Sequence, residues 1–369
     1  MTDKTNLLTP RPTRASTPEL QFVAPGVWGL RNVFVNLYFV RQQPNSGSWV
    51  LIDAGLPGAA GKIRHTAETL FGANFPPASI LMTHGHFDHA GALETLAESW
   101  DVPVYAHPLE MPYLTGRSSY PPPDPTVGGG AMAALSFLYP KSPYNLGNRV
   151  QVLPADGSVP DLPGWRWLHT PGHTPGHVSF FREQDRLLIV GDAFCTVKQE
   201  SAMAVWEQEQ EVHGPPKYFT CDWHQARRSV ELLAGLKPAV AATGHGIPMR
   251  GAALEKELDE LARHFDELAV PAHGRYVPQP AVANEEGVVT VPPPVFDATN
   301  PWLIGAATAA VGLAAAVVYT QRRSRSNGTK ARYRHLQQRN QNSMASSQHA
   351  VDDPFVPDTN PRYSSDTTL

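Results

Sequence analysis

Cysteine is almost missing: Cys195 and Cys221 are the only two in 369 residues. A disulfide framework and a structural zinc site built from four thiolates are thereby excluded, so any metal must be held by nitrogen and oxygen. Charge of one sign is missing as well. With 30 Lys and Arg against 34 Asp and Glu, the formal net charge is -4, which gives no global pull toward nucleic acid, and no nucleic-acid partner is expected. The first twenty residues, "MTDKTNLLTPRPTRASTPEL", have no apolar run behind their charges. A secretory signal is not expected there, and residues 1–20 read as a disordered leader.

What is present is a chain long enough for one large core, with 41% hydrophobic residues broken into many short runs. Strands are expected at Val33–Val40, Trp49–Ile52, Ile80–Met82, Val102–Tyr105, Trp165–His169, Val178–Phe181, Leu187–Val190 and Ala239–Ala242. Helical spacing is read at Ala59–Leu70, Ala90–Trp100, His224–Leu236 and Leu254–Leu268, which makes the class α/β. A loop-rich insert from Pro108 to Gly147 contains "PPPDPTVGGG" and suits the rim of a site. The catalytic domain is expected over residues 21–275 and a proline-rich tether over 276–301.

Residues 302–320, "WLIGAATAAVGLAAAVVYT", carry no charge and are followed by Arg322, Arg323 and Arg325. About 20 apolar residues rising roughly 1.5 Å each cross a bilayer core, so a transmembrane helix contacting membrane lipid is expected here. Residues 321–369 read as a basic, then polar, disordered tail. The arginines favour a cytoplasmic tail and hence an external enzyme. No signal precedes the domain to export it, so a single-pass membrane protein with a cytoplasmic catalytic domain is expected instead.

The stretch "LMTHGHFDHAGAL" places His84, His86, Asp88 and His89 within six positions, directly behind an apolar run. A strand ending at Met82 delivers them onto one loop, where His84 and His86 can grip one ion and Asp88 and His89 a second. Two neighbouring ions need a shared ligand. "LHTPGHTPGHVSFF" supplies His173 and His177, "LLIVGDAF" supplies Asp192 at the end of a strand, and "VAATGHG" supplies His245 at the end of another. A lone histidine is more often structural; four such stretches together point to a metal site.

In these motifs, taken with "LIDAG" at residues 51–55, the chain resembles the metallo-β-lactamase superfamily, in the branch that includes glyoxalase II-like hydrolases. The resemblance covers residues 25–265 and implies a four-layer αββα sandwich with a metal site along one edge. It implies that His84, His86 and His173 hold a first metal, that Asp88, His89 and His245 hold a second, and that Asp192 bridges both. His177 is not a family ligand and is read as supporting. Asp53 resembles the family's acidic residue behind the metal loops, where a carboxylate can orient imidazoles through their other nitrogen.

Two Zn2+ per chain are expected, although spacing alone does not exclude iron or manganese. Paired ions lower the pKa of water and polarise a substrate oxygen, while Asp88 is suited to orienting the hydroxide and moving its proton. A small-molecule ester, thioester or lactone is the expected substrate. An iron-dependent oxidoreductase resembling sulfur dioxygenases, and a phosphodiesterase of the same fold, are the alternatives. "HGPPKYFTCDWHQA", residues 213–226, offers Tyr218, Phe219 and Trp223 as a substrate wall, with the insert as the opposite wall. Lys198 is a candidate for an anionic group, and Cys195 stands where family lactonases favour tyrosine.

Overall fold

Along the central strands, neighbouring side chains enter different apolar layers, and this alternation builds the architecture. In the computed structural model, which describes residues 19–42 and 47–295, Leu37 and Phe39 point one way while Tyr38 and Val40 point the other. A first mixed sheet runs β1 (Leu20–Ala24), β2 (Val27–Asn32), β3 (Val35–Arg41), β4 (Trp49–Ile52), β5 (Ile80–Leu81), β6 (Val104–Ala106) and β7 (Val150–Val152), in that spatial order. A second comprises β8 (Trp165–His169), β9 (Val178–Arg182), β10 (Leu187–Gly191), β11 (Val240–Thr243) and β12 (Met249–Arg250), ordered β12-β11-β10-β9-β8. Helices α1 (Ala60–Phe71) and α2 (Leu93–Trp100) cross over between the parallel strands β4, β5 and β6. Short helices α3 (Met111–Leu114), α4 (Ala131–Ala134) and α5 (Ala202–Glu207) sit in connections, and α6 (Trp223–Gly235) and α7 (Gly251–Arg263) serve the second sheet.

Three apolar layers result. Leu37, Phe39, Trp49 and Leu51 pack with Ile63 of α1 and Leu93 and Leu96 of α2. Tyr38, Val40, Val50 and Ile52 meet Val178, Phe180, Leu187 and Ile189 between the sheets. Leu188 and Val190 face Val230 and Leu233 of α6 and Leu254, Leu258 and Leu261 of α7. Strands covered on both faces must be apolar throughout, which explains the unbroken "LLIV" of β10. The order helix, sheet, sheet, helix is the αββα sandwich that the family resemblance implied.

Differences from the expected elements are local. The strands β1, β2, β7 and β12 were not anticipated, and the helix expected through Leu268 breaks at His264 into a separate turn, Phe265–Leu268. The domain boundary expected at 275 falls inside folded structure. Tyr276 donates to the Pro122 carbonyl at 2.6 Å, and a hairpin of β13 (Val282–Asn284) and β14 (Gly287–Thr290) reaches Ser118, whose hydroxyl accepts from the Val288 amide at 3.1 Å. The leader before residue 19, the apolar stretch 302–320 and the tail after it lie outside the described residues. Among the described residues no helix is long and apolar enough to cross a membrane.

Candidate metal centre

Strands β4, β5, β10 and β11 end on one edge of the sandwich, and each leads within three residues to a candidate polar side chain. Asp53 follows β4, the His84–His89 loop follows β5, Asp192 follows β10 and His245 lies just past β11, while His173 sits in the connection from β8 to β9. Parallel pairing of β10 with β11 carries Asp192 and His245 to the same place. All seven side chains singled out in the sequence, His84, His86, Asp88, His89, His173, Asp192 and His245, are buried together there.

Their ligand atoms form three overlapping groups: His84 with His86 and His173; His84 with His89 and Asp192; Asp88 with His89 and His245. Within each group the atoms lie within 4.8 Å of one another. Asp192 is central. Its Oδ2 lies 3.1 Å from His245 Nε2 and 3.5 Å from His173 Nε2, and its Oδ1 lies 3.4 Å from His89 Nε2. Asp88 Oδ2 is 3.5 Å from His245 Nε2.

Hydrogen bonds behind the imidazoles fix which nitrogen is left over. Asp53 Oδ2 accepts from His89 Nδ1 at 2.8 Å and from the Thr83 hydroxyl at 2.7 Å, while Oδ1 accepts from the Thr83 amide at 2.8 Å. Having donated to Asp53, the Thr83 oxygen accepts from His84 Nδ1 at 3.1 Å. His245 Nδ1 donates to the Phe34 carbonyl at 2.9 Å. In all three rings Nε2 is thereby the nitrogen turned into the cluster. Asp53 holds a left-handed backbone, φ 61°, which Asp tolerates better than most residues. His177 joins no candidate group: its Nε2 accepts from the Asp192 amide at 2.8 Å and its Nδ1 meets Thr170 Oγ1 at 2.8 Å, so it supports the Asp192 backbone.

Three buried atoms of this cluster, His84 Nε2, His89 Nε2 and Asp192 Oδ1, have no hydrogen-bond partner. Burying such groups unsatisfied costs about 1–3 kcal/mol each, and here they converge rather than scatter. His86 Nδ1 and His173 Nε2 stand only 3.0 Å apart, with nothing but a proton or a cation able to lie favourably between two such lone pairs. This donor set fits divalent cations.

The electrostatics divide the cluster. Burial, reinforced by neighbouring histidines, pushes His84 and His173 well below the ordinary imidazole range, and burial pushes His86 to about 3. Burial would also lower His89 and His245, but the Asp192 carboxylate, helped by Asp53 at His89 and by Asp88 at His245, outweighs it and raises both. Burial would raise Asp192, yet His245 and His89 hold it well below the usual carboxylate range. Burial raises Asp88.

The stretch 213–226 is divided by the fold. Phe219 stacks on the His86 ring at 4.4 Å with Tyr218 beside it at 5.1 Å, whereas Trp223 points into the core of the second sheet. Met132 and Tyr139 of the insert join Phe87, Tyr218 and Phe219 in one cluster, so the two expected walls are a single aromatic wall. Lys198 is exposed. Burial, with Asp192 and Glu200, pushes the Cys195 thiol well above its ordinary value, which leaves it a packed, unreactive side chain. Sequence reasoning missed Glu110 and Tyr120, which bond each other beneath the His84–His86 loop.

Four layers with a buried His/Asp cluster at the strand ends define a protein class before any relative is considered. Residues 30–245 match the model of the family described as the metallo-beta-lactamase superfamily. The chain is 49% identical over 245 residues to a protein of Bacillus subtilis (strain 168) named "Probable metallo-hydrolase YflN", covering 66% of this chain and 93% of that one. Another protein of that organism, "Probable metallo-hydrolase YybB", is 30% identical over 170 residues, 46% of this chain and 64% of its own. A solved "Beta-lactamase domain protein" from Burkholderia ambifaria aligns at 22% identity and a TM-score of 0.46, covering 67% of this chain and 73% of that one. The chain belongs to the metallo-beta-lactamase superfamily.

Proposed function

We propose that the chain is a hydrolase that holds two divalent cations, zinc in our reading, and cleaves a small-molecule ester, thioester or lactone. The observation that carries this reading is the convergence of three buried atoms that lack a hydrogen bond with four further ligand-type side chains. His84, His86 and His173 would hold one cation, Asp88, His89 and His245 the other, and Asp192 both. Relatives named as metallo-hydrolases support the reaction class.

Bound cations of this kind bring the pKa of water toward neutrality and polarise a carbonyl oxygen. The chain's residues do the rest. Asp88, buried beside His245, is placed to accept the proton of the attacking water at its carboxylate and to pass it to the leaving oxygen or sulfur. Asp53 and Thr83 hold the His84 and His89 rings in the ligating tautomer. Phe87, Tyr139, Tyr218 and Phe219 exclude water on one side and offer apolar faces to an acyl or ring substituent.

The test is metal analysis of the full-length chain purified without added salts, followed by a panel of thioesters, aliphatic lactones, aryl esters, β-lactams and phosphodiesters. Two zinc equivalents and carbonyl-ester or thioester hydrolysis are expected. One tightly held iron with oxygen consumption, or turnover of bis-aryl phosphate alone, would replace the reading with an oxidoreductase or a phosphodiesterase.

A further inference from the structure

Two loops that carry candidate ligands meet a carboxylate belonging to neither. Glu110 ends the turn Pro108–Glu110 in the insert and is fully buried. Its Oε1 accepts from the Thr174 hydroxyl at 2.7 Å and from the Gly176 amide at 3.0 Å. Its Oε2 accepts from the Gly85 amide at 3.0 Å and from the Tyr120 hydroxyl. The Tyr120 oxygen accepts from that same Gly85 amide at 2.8 Å. Gly85 lies between His84 and His86, and Thr174 follows His173. One carboxylate therefore joins the backbone beside two of the histidines to the backbone beside the third.

The glycines of both loops make this approach possible. A Cβ on Gly176 would stand 2.8 Å from Glu110 Cγ and from its backbone nitrogen, and one on Gly85 would stand 2.8 Å from the Tyr120 oxygen. Neither glycine has a left-handed φ, so their use here is close contact rather than a turn. The quantity bracketed by the contact is the 3.0 Å separation of His86 Nδ1 from His173 Nε2. The other candidate group is held elsewhere: His89 by Asp53, and His245 by the Phe34 carbonyl.

We propose that Glu110 is a positioning residue that fixes His84 and His86 against His173, and so sets the cation affinity of that group independently of the group formed by Asp88, His89 and His245. The proposal rests on the metal-holding reading above. Ligands must be held within about 0.5 Å of their productive geometry, and a buried carboxylate with three donors from the two ligand loops and a fourth from Tyr120 of its own insert supplies such a constraint.

The test uses the full-length chain as wild type, E110A, E110Q and T174V. Glutamine keeps three of the four contacts, because its oxygen still serves Thr174 and Gly176 and its amide can donate to Tyr120. In chelator-competition titrations with Zn2+, E110A should weaken one of the two equivalents about tenfold or more and leave the other within about threefold, and E110Q should recover most of the loss. In the metal-free protein, amide exchange in E110A should accelerate at residues 84–86 and 173–176 and not in β10 or β11. Unchanged affinities, or equal weakening of both equivalents with faster exchange throughout, would overturn the proposal. If E110A does not fold, T174V decides: a weakening of the same single equivalent supports it, and unchanged binding overturns it. Should the wild type take up no Zn2+, the metal-holding reading fails, while the exchange pattern of the metal-free variants still shows whether Glu110 joins the two loops.

Discussion

Replacing Asp53 by asparagine should reverse two imidazoles at once. In the wild type, the carboxylate accepts from His89 Nδ1 and from Thr83 Oγ1, and that hydroxyl accepts in turn from His84 Nδ1. If the asparagine oxygen stays on the Thr83 amide, its NH2 faces both former donors. His89 then accepts at Nδ1, Thr83 turns its proton to His84 Nδ1, and both rings carry hydrogen on the Nε2 that should bind metal. Both cations are therefore affected, and losing such a supporting contact typically costs about 10–100-fold in metal affinity. That is roughly 1.4–2.8 kcal/mol at about 1.4 kcal/mol per tenfold. Asparagine tolerates the left-handed backbone at this position, so the fold should survive. Alanine is the wrong probe: it leaves three donors unmatched at about 1–3 kcal/mol each and adds left-handed strain of about 1–2 kcal/mol, close to the whole stability of many domains. The assay is metal competition titration, together with nitrogen NMR of metal-free protein above the titration of His89. Retained Nδ1–H on both rings with wild-type metal affinity would refute the argument.

Further outcomes follow from the same geometry. Binding at Asp88, His89 and His245 should release protons at neutral pH, because both histidines are raised there, and its affinity should fall as pH drops through their titration. Binding at His84, His86 and His173, all pushed down, should release none from those rings; calorimetry in two buffers measures the difference, and equal release by both equivalents would contradict it. Gly244→Ala places a methyl 2.0 Å from Asp192 Oδ1 and should cost the protein at least one metal, which elemental analysis detects. We also propose that residues 302–320 attach the chain to a membrane; truncation before Trp302 should then release soluble, active enzyme, whereas soluble full-length protein would remove the span.

The ligand-bearing edge was legible because each apolar run stops at the residue that matters: Ile52 before Asp53, Val190 and Gly191 before Asp192, Thr243 shortly before His245. Such signals are local. Glu110 gave none, since it is one glutamate among prolines and its partners lie 10 to 66 positions away. The strands β1 and β2 were hidden by the Pro25–Gly26 turn between two short, mixed runs. The fate of Trp223 was equally non-local. Asp222 caps α6 by accepting from the Gln225 amide at 3.0 Å, and the helix phase that follows turns Trp223 inward, away from its neighbours Tyr218 and Phe219.

The insert has two unequal parts, and this bears on how such an enzyme could be re-engineered. Its first portion is bolted to the scaffold through Glu110, Tyr120 and Asp124, the last accepting from the Arg275 amide at 2.6 Å. Its closing residues are bolted too, with the Asn145 amide donating to Glu94 Oε1 of α2 at 2.7 Å. Between them, residues 125–143 contribute Val127, Met132 and Tyr139 to the aromatic wall. A loop transplant cut at Ala106, where the strand visibly ends, would discard the clamp along with the wall. Cut after Asp124 and before Tyr144, the segment becomes an exchangeable cassette, through which substrate preference could diverge among relatives without disturbing the chemistry beneath.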